Sequence, residues 1–112
     1  MENMTSEQYE ELASQRSKMY DTLKAETRAR IYGAKAKMAG LHATYGAMLP
    51  NPDLLMVPQH VLDSIRGCEK AMQQVRIDLE DAQAFQRMLE GLYGEQFERF
   101  LDAEIQRRSD TE

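Results

Sequence analysis

Residues 61–82, VLDSIRGCEKAMQQVRIDLEDA, carry the pattern that decides the fold. Val61, Ile65, Cys68, Met72, Val75, Leu79 and Ala82 recur at alternating spacings of 4 and 3. Only a helix brings residues so spaced onto one side, and three heptads of such a seam predict coiled-coil packing against a second helix. Charged and amide residues fill most of the positions between, the exceptions being Leu62, Ser64, Gly67, Ala71 and Ile77.

Downstream the apolar set widens to Phe85, Met88, Leu89, Leu92, Tyr93, Phe97, Phe100, Leu101 and Ile105. That breadth asks for more than one neighbour. Gly91 and Gly94 weaken a helix there, each by roughly 1 kcal/mol against alanine. The pattern predicts one helix over about 58–108 with a kink at 91–94; the alternative is a separate C-terminal helix that folds back. Ser109 to Glu112 reads as a frayed tail.

Upstream, all three prolines lie between Pro50 and Pro58. Residues 50–57 therefore form a connector, and Pro50 disfavours helical geometry at Leu49. A first helix is expected over about 5–49. Thr5-Ser6-Glu7-Gln8 fits a capping box, with Thr5 and Gln8 satisfying each other's amides. One seam of this helix holds Tyr9, Leu12, Met19, Leu23, Ile31, Ala34, Met38, Leu41, Tyr45 and Met48, interrupted by Arg16 and Thr27. The opposite side is a stripe of small residues: Ala25, Ala29, Gly33, Ala36, Gly40, Ala43 and Ala47.

The short connector makes the two helices antiparallel neighbours. The fold class is all-α, a long coiled-coil-like helical hairpin forming a single domain. In that register Lys24, Arg28 and Arg30 would face Asp78, Glu80 and Asp81. Two helices enclose little core, so dimerisation into a four-helix bundle is expected. Ala29, Gly33, Ala36, Gly40, Ala43 and Ala47 are the candidate self-association face, because glycine in a helix interior is destabilising unless close packing requires it.

The chain has 112 residues, a net charge of −5 and one cysteine. A lone cysteine excludes an internal disulfide framework and fits a reducing, cytoplasmic setting. The polar, acidic start Met1-Glu2-Asn3-Met4 is unlike a signal peptide. No run of 18 apolar residues is present, so no membrane partner is expected. Charge is divided unevenly: Arg16 to Lys37 holds seven basic residues against Asp21 and Glu26, and Asp78 to Glu104 holds eight acids against Arg87 and Arg99.

Catalytic and cofactor signatures are missing from the sequence. It has no Gly-rich phosphate loop, no GxSxG and no HExxH. His42, His60 and Cys68 lack the close pairs that zinc demands. No enzyme, cofactor or metal is expected. The chain reads as a non-catalytic interaction module that binds and regulates or inhibits a partner complex, a class common among accessory proteins of bacteria and phages. Candidate partner-binding residues are Leu54, Leu55 and Met56 at the hairpin tip, Phe97, Phe100 and Leu101 near the C-terminus, and the acidic Asp78, Glu80 and Asp81. The alternative is a dimeric nucleic-acid-binding regulator using Lys24, Arg28 and Lys35, since phosphate recognition needs such a basic row.

Overall fold

The computed structural model describes residues 4–49 and 57–111. They form three helices: α1 (Ser6–Met48), α2 (Gln59–Gly91) and α3 (Gly94–Thr111). The described residues contain no strand, so the all-α expectation holds.

The start of α1 is the expected capping box. The Thr5 amide donates to Gln8 Oε1 at 2.8 Å, and the Gln8 amide donates to Thr5 Oγ1 at 3.1 Å. α1 ends at Met48, one residue before the position that Pro50 disfavours. α2 begins after Pro58, whose carbonyl accepts from the amides of Val61 and Leu62 at 3.0 and 3.2 Å.

The chain packs as two compact units. One is formed by Met1–Arg28 with Phe85–Glu112, the other by Ala29–Ala84.

In the unit Ala29–Ala84, the heptad seam of α2 packs as its spacing dictates. Ile65, Cys68, Val75 and Ala82 are buried, and Val61, Met72 and Leu79 are partly so. From α1, Ile31 is buried and Ala34, Met38, Leu41, Tyr45 and Met48 are half-buried. The Cys68 thiol donates to the Leu41 carbonyl at 3.4 Å, and Val75 shares a hollow with Gly33 and Ala34. Leu41 of α1 thus lies beside Cys68 of α2, and Gly33 and Ala34 lie beside Val75. The connector between them lies outside the described residues.

The other unit departs from the expected single helix over 58–108. α2 stops at Gly91, and α3 starts at Gly94, the one described residue with positive φ, at 61°. Left-handed backbone is open to glycine without a Cβ penalty, so Gly94 is where the chain can reverse. The energetic reason for reversal is apolar: Phe97, Phe100 and Leu101 would otherwise lack a partner. Instead Leu101 buries beside Leu23 and Leu89, with Met19, Tyr20, Phe85, Phe97 and Phe100 packed around them. Tyr20 and Phe97 meet edge to face at 5.0 Å, and Phe85 and Phe100 lie tilted at 6.2 Å. The helix also continues through Thr111, so residues 109–111 are not the frayed tail expected.

Candidate functional site

The two interruptions in the α1 seam have structural roles. Thr27 is buried, and its hydroxyl donates to the Leu23 carbonyl at 2.6 Å, so the polar group is satisfied within the helix. Arg16 reaches α3: its Nε and one terminal nitrogen donate to the two oxygens of Asp102 at 2.8 and 2.7 Å, and Glu98 lies 3.6 Å away. A second clamp joins Arg108 of α3 to Glu26 of α1 at 2.6 and 3.1 Å, with Glu104 also against Arg108. The sequence reading missed these four clamp residues. The signal was there, because Arg16 falls where an apolar seam should continue.

Hydrogen bonds from Arg108 hold the Glu26 carboxyl below its ordinary range, as those from Arg16 do for Asp102 and those from Arg107 and Arg108 do for Glu104. A carboxylate more acidic in the folded state contributes stability above its unfolded value, and that contribution is lost as pH falls through the folded value. The unit holding α3 is therefore expected to lose stability below about pH 4, where carboxylates ordinarily titrate. In Arg108→Met this acid limb should be shallower, with lower stability at neutral pH; thermal melts followed by circular dichroism across the acid range measure both.

Of the partner-binding candidates near the C-terminus, Leu101 is only 1% exposed and belongs to the core of this unit, while Phe97 and Phe100 are half-buried against it. Leu54, Leu55 and Met56 lie outside the described residues. Asp78, Glu80 and Asp81 are all exposed, and Asp78 accepts a hydrogen bond from Gln74 at 3.1 Å. Ile77 beside them is an exposed large apolar residue.

The basic row is only partly free. Lys24 lies 3.6 Å from Asp21 and its ammonium sits 4.5 Å over the Tyr20 ring, so it is engaged on its own helix. Arg28 and Lys35 are exposed. Arg30 and Asp78 border one hollow without an ion pair between them; the expected facing of basic and acidic blocks yields no bridge at this position.

The small-residue stripe lies mostly away from α2, with Gly33 at its edge also bordering the hollow with Val75 and Asp78. Ala29, Gly33, Ala36, Gly40, Ala43 and Ala47 are all exposed, while the opposite seam of α1 packs on α2. A Cβ added at Gly33 or Gly40 would meet nothing within 4 Å. Packing within the chain therefore does not require glycine at either position. Gly33→Ala with Gly40→Ala should stabilise the isolated chain by roughly 0.8–1 kcal/mol per site, the helix-propensity difference; chemical denaturation under conditions that keep the chain monomeric checks this.

His42 and His60 are exposed and Cys68 is buried. Among the described residues no three His, Cys, Asp or Glu side chains cluster as metal ligands would, and no helix is long and apolar enough to cross a membrane. Comparison with protein-family models, curated proteins and solved structures finds no match for this chain.

Proposed function

We propose that this chain is a non-catalytic protein-interaction module: a helical hairpin that self-associates through Ala29, Gly33, Ala36, Gly40, Ala43 and Ala47 and, assembled, binds and regulates a partner macromolecule. The observation that carries the reading is the place of Gly33 and Gly40 on the exposed small-residue stripe, with open space around both as around the helical Gly46 and Gly67. Glycine weakens a helix interior by roughly 1 kcal/mol. No contact within the chain accounts for it here, whereas close approach of another helix would.

The limited core supports the same reading. In the unit Ala29–Ala84 two helices bury one side of α1 and leave the other uncovered, the situation in which small helical proteins gain stability by oligomerising. A bundle of two copies covers that side. The acidic face at Asp78, Glu80 and Asp81, with Ile77 exposed beside it, then remains for a basic protein surface, since complementary charge speeds encounter and selects the partner. A nucleic-acid role is weaker, because Lys24 is already held by Asp21 and Tyr20.

Light scattering at micromolar concentration tests the assembly. A mass above that of one chain, falling on dilution, is expected; a strictly monomeric mass overturns the reading. The acidic face is tested by Asp78→Lys with Asp81→Lys, which should abolish recovery of a partner while leaving helicity and self-association intact.

A further inference from the structure

We propose that α3 is an exchangeable arm, and that in a reciprocal dimer the α3 of one copy occupies the seat on a second copy that its own α3 fills in the isolated chain. Only Leu92 and Tyr93 separate α2 from α3, and the Leu92 amide already makes a helical bond to the Met88 carbonyl at 3.1 Å. The reversal rests on the left-handed backbone of Gly94. Packing on the hinge is confined to Leu92, which is half-buried and shares a hollow with Tyr20, Leu89 and Phe97; Tyr93 is 80% exposed, and nothing lies within 4 Å of a Cβ built at Gly91 or Gly94.

The sequence on both sides reads as one helix, so straightening two residues turns α2 and α3 into a continuous rod. That rod carries α3 away from its own α1. The vacated seat then exposes Tyr20, Leu23, Phe85 and Leu89, and the surface that matches them is another α3. Side chains alone hold α3 in place: the aromatic core, the Arg16–Asp102 pair and the Glu26–Arg108 pair. These contacts are the same whichever copy supplies the helix. Exchange therefore conserves the interface, and only the hinge conformation and the loss of one free particle separate the two states; short hinges are where such swapping arises. The charge order also fixes the occupant, because the seat offers a cation at Arg16 and an anion at Glu26, the reverse of what α3 presents at Asp102 and Arg108.

The exchange goes beyond the self-association proposed for the other unit, so the test is run in chains that also carry Gly40→Leu. Arg16→Asp alone sets carboxylate against carboxylate in the closed chain, and Asp102→Arg alone sets guanidinium against guanidinium. When the two variants are unfolded and refolded together, reciprocal exchange restores an opposite-charge pair at both seats. Native mass spectrometry should then show a one-to-one heterodimer that neither variant forms alone. A mixture that remains two monomers overturns the proposal. Should either variant fail to fold by itself, Gly94→Ala gives a second reading. A Cβ in left-handed backbone is disfavoured, so this change should raise the dimer-to-monomer ratio by roughly tenfold per hinge at fixed concentration. An unchanged ratio overturns it equally.

Discussion

Leu101→Ala is expected to remove roughly 2–5 kcal/mol of stability, the range for a buried leucine cut back to alanine where the surroundings only partly collapse. Leu101 is almost completely buried and touches the two other buried leucines of its unit, Leu23 and Leu89. Aromatic rings wall the site on several sides and relax into a cavity poorly. A total stability of roughly 5–15 kcal/mol is usual for a domain, so the loss is a large share. It should also be local. Hydrogen exchange should speed up across residues 85–111 and the facing part of α1 before the helices over 59–84, because local opening follows the unit whose packing is lost. Leu101→Met, which keeps volume, should cost less than about 1.5 kcal/mol. Equal protection throughout the chain in Leu101→Ala would contradict a core divided in this way.

Gly40→Leu should have the second large effect, in the opposite sense for fold and for assembly. Open space surrounds a Cβ at this position, so leucine is accommodated, and its higher helix propensity should raise the stability of the isolated chain by several tenths of a kcal/mol. The same side chain projects from the face proposed to admit a neighbouring helix. Helices approach at about 8–10 Å depending on the side chains at the contact, and a leucine at the centre of a close contact forces them apart. The expected outcome is a higher melting temperature when dilute and a mass reduced to one chain when concentrated. Gly40→Ala should weaken assembly less than Gly40→Leu while stabilising the dilute chain at least as much, because alanine has the higher helix propensity. If Gly40→Leu assembles as well as the unmodified chain, the stripe is only an Ala-rich exposed surface.

The two units were not equally legible in the sequence. Spacing alone located the buried side of α2 from Val61 to Ala82, because a heptad seam leaves one way to bury its apolar residues. The same logic placed Ile31, Ala34, Met38 and Leu41 inward and the small stripe outward. The capping box at Thr5 and the end of α1 near Pro50 were also readable, since both depend on neighbouring residues. The fold-back after Gly91 was not. Two weakening glycines are compatible with a kink or with a full reversal, and the choice depends on whether a seat for Phe97, Phe100 and Leu101 exists elsewhere. That seat, made by Tyr20, Leu23, Phe85 and Leu89, is a property of three segments far apart in sequence. Without it, periodicity cannot tell that Leu101 is buried and that Phe97 and Phe100 are half-buried against it.

Charge followed the same division. The sequence displayed a basic block and an acidic block but not their partners. Arg16 pairs with Asp102 and Arg108 with Glu26 because α3 returns to α1, which no spacing rule anticipates. What the sequence determined by itself was local and periodic: helical content, helix starts and stops, and which side of α1 and α2 is apolar. Periodicity is fixed by 3.6 residues per turn and needs no knowledge of neighbours. What only the tertiary structure decided was which surfaces are already consumed and which are left uncovered. That distinction bears on function, because Leu101 is buried and Phe97 and Phe100 are half-buried against it, while the stripe centred on Gly33 and Gly40 is exposed.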